Sequence, residues 1–445
     1  MDYLLTRKDI DPEHIGVYGS SGGGTQTAYY IGLDPRVKVA AICSFFSTRE
    51  RTMELQGPSD GCQHIPYEGR EQLEVPDFAL MMAPRPLLIL SGKYDFVDLW
   101  GAQQGYAELQ QCYKVLGVPE KVDMLTVETG HGLGVEKRQK LVSWFKRWLK
   151  DDQSPVKKAA QDRFQLSDML CTTRGQVNVS MPGALSIMQE NVNQLDEWAS
   201  KREAFLSKGK KTVQAKMLDL LGLKGLPDHK IRIEATGHDS MREYEQYKFQ
   251  LIREGEMPVP CILIIPSRAN ADSPVELRLQ EEGKGTYLSE YANFAAALTE
   301  GKILLLADLR GLGETTDPAF YTDAKYWNRE YRNAMISMHI GRPIMGQRVV
   351  DILTLLDFCS EHEFLKGHSV KVFANGIYGP AAIHAAYLDE RINSVEITHS
   401  VKTWKEYIER PMQWDMYSNV LYGALKYYDL PDLIRLSNRS IRFAD

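Results

Sequence analysis

Three residues of this 445-residue chain have the types and the spacing that nucleophilic acyl transfer requires. Ser21 lies in a glycine-rich turn, while Asp95 and His131 each follow a later apolar run. A serine hydroxyl needs a base to remove its proton, and that base needs a carboxylate to orient it. Because the residues occur in the order serine, aspartate, histidine, they predict a Ser-His-Asp triad.

The segment Gly19-Ser20-Ser21-Gly22-Gly23 satisfies the Gly-x-Ser-x-Gly pattern, in which a strand runs into a tight turn and a helix leaves it. Residues 15–18 are the predicted strand, and residues 25–31 belong to the predicted helix. Glycines suit such a turn because backbone segments pass close to one another there. A glycine-rich loop without chemistry, or a phosphate cradle, is the alternative, but the spacing does not fit the dinucleotide-binding fingerprint.

The acid and the base are assigned from their places after strands. Asp95 follows a predicted strand over 86–90, and His131 follows one over 122–127, between two glycines. Asp98 is the alternative acid, although its distance from the strand end favours a solvated or helix-capping role. We expect His131 to accept the proton of the serine and Asp95 to stabilise the imidazolium.

Backbone and loop groups complete the predicted site. The Gly22 N–H is expected to donate one hydrogen bond to the oxyanion that forms during acyl transfer. Gln63 and His64 lie in a loop that could rim the pocket, so we predict that they contact the substrate.

These residues are positioned by short apolar strands that alternate with amphipathic helices, the pattern of an α/β protein with a covered parallel sheet. A polar stretch after residue 150 interrupts the pattern, and a second α/β region begins near residue 231. The predicted strands are 15–18, 39–43, 86–90, 122–127, 176–180, 244–252, 259–265, 275–279, 303–307 and 370–373. The predicted helices are 25–31, 102–116, 135–149, 187–221 (with a break at Gly209), 290–300 and 346–361.

The second α/β region looks like an internal repeat of the first. Ile15-Gly-Val-Tyr18 matches Val370-Lys-Val-Phe373, and each is followed by a glycine-containing turn and a helix. Alignment on these strands places Ser21 opposite Gly376, which has no side chain to attack a carbonyl. We therefore predict that the second region is not a catalyst.

Composition excludes several classes of function. The net charge is −6, with 43% hydrophobic and 25% charged residues, and no basic stripe tracks a nucleic-acid backbone. The longest apolar runs are too short to span a bilayer, and the first residues lack the pattern of a secretory signal. Six scattered cysteines form no CxxC pair, so a zinc site is not expected. Their even number permits disulfides, but buried free thiols are favoured. We predict no metal, no cofactor, no nucleic acid and no membrane partner.

The motifs resemble the acetyl xylan esterase-like branch of the α/β-hydrolases, including tandem-domain proteins. The resemblance covers most of the chain and implies hydrolysis of acetyl or related esters on plant polysaccharides or acylated sugars, often outside the cytoplasm. It rests on residues 10–27, 60–63, 83–89, 130–132, 308–315, 340–343, 346–348 and 428–432.

This resemblance implies two α/β-hydrolase-like units. Residues 1–152 correspond to the C-terminal half of a catalytic domain without its N-terminal strands. Residues 153–230 form a linker with a long helix, and residues 231–445 form a degenerate copy without its C-terminal strands. We expect the chain to be a fragment at both ends.

Two other functions remain open. A serine peptidase of the same fold would share the triad order, and a non-catalytic carbohydrate-binding or scaffold protein would fit the missing strands.

Overall fold

The structure, a computed structural model, describes residues 1–54, 63–156, 164–317, 330–413 and 416–444. Two compact units divide the chain, and both combine helices with a β-sheet, as the α/β prediction states. The first unit is Met1–Met169 with His339–Gly341, and the second is Leu170–Met338 with Arg342–Asp445.

The first unit contains a sheet of four parallel strands, which lie in chain order. Its strands are β1 (Gly16–Ser20), β2 (Val39–Cys43), β3 (Leu87–Gly92) and β4 (Val122–Val127). Its helices are α1 (Asp2–Leu5), α2 (Gly22–Ile31), α3 (Arg49–Glu54), α4 (Val75–Leu80), α5 (Leu99–Val115), α6 (Val135–Lys150) and α7 (Leu166–Met169).

The first sheet is covered on both faces, and every residue of β2 and β3 is buried. Alternate side chains of a strand point to opposite faces, so each strand contributes to two separate cores. Ala40 and Ile42 pack in a cluster with residues of α2 and α5, whereas Val39 and Ala41 pack with Trp144 of α6. Because both faces of the sheet are packed, the strand ends that carry the candidate site are held in place.

The second unit contains an eight-stranded mixed sheet. Its strands are β5 (Arg232–Ser240), β6 (Tyr244–Ile252), β7 (Val259–Pro266), β8 (Val275–Leu279), β9 (Ile303–Ala307), β10 (Val370–Asn375), β11 (Ile392–Thr398) and β12 (Ser440–Phe443), in the order β12-β11-β10-β8-β9-β7-β6-β5. Its helices are α8 (Val177–Ser180), α9 (Ile187–Leu206), α10 (Lys210–Leu220), α11 (Lys284–Ser289), α12 (Tyr291–Thr299), α13 (Tyr331–His339), α14 (Ile344–Glu361), α15 (Tyr378–Leu388), α16 (Lys405–Glu409) and α17 (Leu430–Leu436).

The pairing in the second sheet changes from antiparallel to parallel across the sheet. Strands β5, β6, β7 and β9 pair antiparallel, whereas β9, β8, β10, β11 and β12 pair parallel. Helix α15 is buried along its whole length, since its residues are small or apolar on every face. It leaves the turn that follows β10, which is the counterpart of the turn holding Ser21 in the sequence alignment.

One predicted strand is a helix in the structure. Residues 176–180, predicted as a strand, contain the short helix α8, and its side chains are mostly exposed. Neighbouring valines favour a strand only where a partner strand lies beside them, and none pairs with this segment in the described part of the chain.

The predicted helix 187–221 has its predicted break at Gly209. Helix α9 ends at Leu206, and Gly209, whose φ is 93°, is the N-cap residue of α10.

The predicted middle region contributes to the core of the second unit. Leu195 and Leu206 of α9 and Val213 and Met217 of α10 are buried in that core. The domain boundaries at residues 152 and 230 remain predictions. Within the described residues, no helix combines the length and apolar character needed to cross a bilayer.

Candidate active site

The turn that carries Ser21 connects β1 directly to α2. Ser21 has φ 57° and ψ −122°, a conformation that non-glycine residues rarely adopt and that is typical of functional sites. Its N–H donates to the carbonyl oxygen of Cys43 at 3.0 Å, so the turn is tied to the end of β2. The serine therefore stands at the C-terminal edge of the sheet, in a strained backbone held by its neighbours.

The glycines around Ser21 do not share one steric role. A Cβ on Gly19 would lie 1.9 Å from the carbonyl oxygen of Gly23, and one on Gly24 would lie 2.8 Å from that of Cys43. A Cβ on Gly22 or Gly23, in contrast, would meet nothing within 4 Å. The steric argument from sequence is thus correct for Gly19 and wrong for Gly22 and Gly23.

Asp95 and His131 are brought together at the ends of β3 and β4. The Nδ1 atom of His131 lies 2.8 Å from Oδ1 of Asp95, which also accepts a hydrogen bond from the Val97 N–H at 3.1 Å. The Asp95 side chain is 1% exposed and that of His131 is 29% exposed. A buried carboxylate on Nδ1 leaves the other ring nitrogen, Nε2, available as a base on the exposed side.

The loops that carry this pair are joined by backbone hydrogen bonds. The Lys93 N–H donates to Val127 at 2.8 Å, and the Tyr94 N–H donates to Thr129 at 3.1 Å. Gly92 allows the close approach, because a Cβ there would lie 2.7 Å from two carbonyl oxygens of the histidine loop. The loop that carries Asp95 and the loop that carries His131 therefore pack directly against each other.

Phe96 is a neighbour of the site that the sequence interpretation missed. Its ring stacks on the imidazole of His131, with centroids 4.2 Å apart and planes at 19°. The phenylalanine is 61% exposed. An exposed aromatic residue directly after the predicted acid was the signal that could have identified it.

The alternative acid, Asp98, has a different role in the structure. It is the N-cap residue of α5, and its carboxylate accepts a hydrogen bond from the Gly101 N–H at 2.6 Å. Arg51 also lies 3.5 Å from it. The geometry thus places Asp95, rather than Asp98, against the imidazole.

The hydroxyl of Ser21 makes no hydrogen bond to His131 in the part of the chain that the structure describes. Such contacts are often long in ligand-free sites and shorten when substrate binds. Gly22, the predicted oxyanion donor, is the first residue of α2, where backbone N–H groups are free of helical partners. Its open surroundings leave space for a ligand oxygen beside the N–H.

Gln63 and His64 are buried in the first unit. The carbonyl oxygen of Gln63 accepts hydrogen bonds from Tyr29, at 3.1 Å, and from the guanidinium of Arg49. Burial, aided by the positive charge of Arg49, lowers the pKa of His64 to about 3, so its ring is neutral. Substrate contact by Gln63 and His64 remains a prediction. Residues 60–62, which contribute to the family resemblance, lie outside the described residues.

Among the described residues, no group of three or more histidine, cysteine, aspartate or glutamate side chains is arranged to hold a metal ion. Of the five cysteines that the structure describes, Cys43, Cys112, Cys261 and Cys359 are free thiols, and burial raises the pKa of Cys359 to about 12. The sixth, Cys62, lies outside the described residues.

The second unit has a turn with a similar φ value and backbone hydrogen bond at the end of β10. Gly376 has φ 60°, and its N–H donates to the carbonyl oxygen of Thr398 at 2.9 Å. A Cβ on Gly376 would lie 1.6 Å from Oε2 of Glu281, and the N–H of Ile377 lies 3.3 Å from that oxygen. A carboxylate of the protein itself thus occupies the space beside this turn.

Comparisons with known proteins give distant relatives. No protein-family model matches the chain. Over 151 residues it is 25% identical to "Putative hydrolase YtaP" of Bacillus subtilis, which is 34% of this chain and 50% of that protein. The chain therefore spans about half the length of this relative.

Similar solved structures have descriptions that name carbohydrate esterases. A "putative acetyl xylan esterase" from Bacteroides fragilis is 13% identical and has a TM-score of 0.48, with 59% of this chain and 75% of that chain covered. An acetyl xylan esterase from Paenibacillus sp. R4 is 16% identical (TM-score 0.35; 52% and 76% covered). A glucuronoyl esterase from Solibacter usitatus is 12% identical (TM-score 0.38; 55% and 75% covered).

Proposed function

We propose that the first unit carries the site of a serine carboxylic-ester hydrolase, with Ser21 as nucleophile, His131 as base and Asp95 as the acid of the triad. The observation that carries this proposal is the 2.8 Å contact between a buried Asp95 and Nδ1 of His131, together with the strained conformation of Ser21. Each of the three residues directly follows a strand of one parallel sheet or lies in the loop after it. This arrangement is the one that nucleophilic acyl transfer uses on α/β folds.

The chemistry follows from these positions. His131 accepts the proton of Ser21 through Nε2 while the serine oxygen attacks the ester carbonyl, and Asp95 stabilises the imidazolium through Nδ1. The imidazolium then gives the proton to the leaving alcohol, which leaves an acyl group on Ser21. Water attacks this acyl-enzyme with His131 again as base, and release of the acid restores the serine.

The Gly22 N–H is proposed to stabilise the oxyanion. It lies at the N-terminus of α2, where free N–H groups and the helix dipole favour negative charge. Apart from its chain neighbours and the backbone of its own helix, no atom lies within 4 Å of a Cβ built on Gly22, which supports a space that a tetrahedral intermediate could fill.

The substrate is proposed to be an acylated carbohydrate, with acetyl as the acyl group. The motif resemblance supports this class, whereas the name of the relative supports hydrolysis without naming a substrate. Tyr94, which precedes the acid in its loop, and Trp100, in the first turn of α5, are 65% and 52% exposed, so flat apolar surfaces follow β3 on the side of the acid. Rings of this kind combine an apolar face with a polar edge, which suits the mixed surface of a sugar.

We further propose that the second unit is a non-catalytic relative of the first. Ser44 and His399, which follow β2 and β11, share positive φ values of 49° and 52°. Asp34 and Asp389 each accept a hydrogen bond from the backbone N–H of the arginine two residues later, at 3.0 and 2.9 Å. These matches support a repeat in which glycine has replaced the nucleophile.

Labelling with a fluorophosphonate probe tests the proposal, because the probe reacts with an activated serine. We expect labelling of Ser21, its loss in Ser21→Ala, and its retention in the matched control Ser20→Ala. A panel containing acetylated xylan, p-nitrophenyl acetate and peptide anilides then distinguishes esterase from peptidase activity. Absence of Ser21 labelling in the unaltered chain would show that the triad is not functional and would favour a scaffold role.

A further inference from the structure

Lys137 is a buried cation in the first turn of α6, and its residue is 1% exposed. Its Nζ donates to the carbonyl oxygen of Gly132 at 3.0 Å and to the hydroxyl of Ser44 at 3.2 Å. No carboxylate lies within ion-pair distance of it in the described part of the chain. Burial of an unpaired charge disfavours folding, and a cation at a helix N-terminus is also disfavoured by the helix dipole. Stability alone therefore does not explain this lysine.

Ser44, which receives one of these hydrogen bonds, is itself unusual. It directly follows β2, is buried, and has φ 49°, which is strained for a residue with a side chain. Its hydroxyl oxygen also accepts a hydrogen bond from the Gly132 N–H at 3.1 Å. The strained backbone thus holds one hydroxyl against both Lys137 and Gly132.

Gly132 is consequently held on both of its backbone polar groups. Its N–H is bound by Ser44 and its carbonyl oxygen by Lys137, while its φ of 106° suits only glycine. The N–H belongs to the peptide group that links Gly132 to His131. Fixing this peptide group restricts the backbone from which the imidazole projects.

The adjacent residue, Cys43, holds the nucleophile turn. Its carbonyl oxygen accepts the hydrogen bond from the Ser21 N–H at 3.0 Å. Consecutive residues at the end of β2 are therefore bound to the turn that carries Ser21 and to the loop that carries His131.

We propose that Lys137 and Ser44 are positioning residues that hold the His131 loop in register with Ser21. The proposal rests on the triad function stated above. Neither residue touches the reacting atoms; both act through Gly132. The buried ammonium group is retained because it binds the carbonyl oxygen and the hydroxyl together, which a neutral aliphatic side chain cannot do.

Lys137→Met tests this role, since methionine keeps most of the volume and removes the charge and the donors. We expect the rate at which a fluorophosphonate labels Ser21 to fall by about tenfold or more, because small misplacements of a catalytic group have large effects on rate. The melting temperature should stay the same or rise, because an unpaired buried charge has been removed. A merely structural lysine would instead lower the melting temperature and leave the labelling rate of the folded protein unchanged.

Two further variants keep the test decisive. Ser44→Ala removes the shared acceptor and should slow labelling as well, and the double variant should lose less than the product of the two single effects. Lys140→Met is the matched control, because Lys140 lies on the same helix but forms a partly exposed ion pair with Asp123. Hydrogen exchange in the peptide containing Gly132 should accelerate in Lys137→Met and Ser44→Ala and not in the control.

The outcomes separate the two proposals. If the unaltered chain is labelled at Ser21 and both Lys137→Met and Ser44→Ala are labelled within about twofold of its rate, the positioning role is overturned and the triad survives. If the unaltered chain is not labelled at all, the triad function fails, and the positioning role in catalysis fails with it.

Discussion

Ser21 and Gly376 have nearly the same positive φ value at the ends of two different strands. Their φ values are 57° and 60°, and each N–H donates to the last residue of the adjacent parallel strand, at 3.0 and 2.9 Å. Glycine adopts this conformation without strain, whereas serine does not. The turn therefore forms without a serine, and the serine in the first unit is retained although glycine would be less strained there.

Ser21→Ala should reduce kcat for p-nitrophenyl acetate by about 10⁴ or more, because the nucleophile of the acyl-enzyme is lost. Steady-state kinetics of the purified variant against the unaltered chain measure this loss. The same variant also tests whether the second unit is a catalyst. If it is not, the variant should show no activity above a heat-inactivated control. A variant with activity within about tenfold of the unaltered chain would contradict the nucleophile assignment.

Asp95→Asn and Asp98→Ala should have opposite consequences. Asp95→Asn should lower kcat by about 10³ or more, because an amide in place of the carboxylate cannot stabilise the imidazolium. Asp98→Ala should instead lower the free energy of unfolding by about 1 kcal/mol through loss of the α5 N-cap and leave kcat nearly unchanged. Kinetics and urea unfolding of both variants check this, and a larger loss of kcat in Asp98→Ala would reverse the assignment.

Gly376→Ala should destabilise the second unit by about 2 kcal/mol or more, because the new methyl group would meet Glu281 and φ is positive. Gly367→Ala is the matched control, since its φ is 93° but nothing lies within 4 Å of a Cβ there. The control should lose only about 1 kcal/mol. Urea unfolding of both variants measures the difference, and equal losses would show that the contact with Glu281 has no effect.

Acid should destabilise the second unit through His384. Burial lowers the pKa of His384 to about 4, below the value of about 6.5 for an unfolded histidine. Between these values the unfolded chain binds a proton that the folded unit does not. The stabilisation is therefore complete above about pH 6.5 and decreases as the pH falls towards 4, by about 3 kcal/mol in all.

His384→Gln should reduce this pH dependence, because the glutamine does not titrate. Thermal unfolding of both proteins between about pH 7.5 and about pH 4.5 compares the slopes. Equal slopes would mean that His384 is protonated in the folded state or that other groups dominate.

Strands with continuous apolar sequences were predictable. Strands β2 and β9 have the predicted bounds, because strands buried on both faces have apolar residues at nearly every position. Strand β5 (Arg232–Ser240) was missed because it lies at the edge of its sheet and its sequence is charged and mostly exposed. Pairing with β6, which no local pattern encodes, makes it a strand.

Some residues of the candidate site could likewise be predicted from the sequence, and others could not. Ser21, Asp95 and His131 could be singled out because each follows an apolar run, and strand ends meet at one edge of a parallel sheet. Lys137 and Ser44 could not, since 93 residues separate them along the chain and their contact depends on how α6 packs on β2. Sequence spacing indicates which loops converge, but it does not indicate which buried groups hold them.

The attachment of two loops to Cys43 and Ser44 has a consequence for thermal motion. A displacement of the end of β2 shifts the serine turn and the histidine loop in the same direction, so the vector between them changes less than either position does. When the edge of the sheet fluctuates, the serine turn and the histidine loop therefore move together. Groups anchored on separate strands would instead move apart.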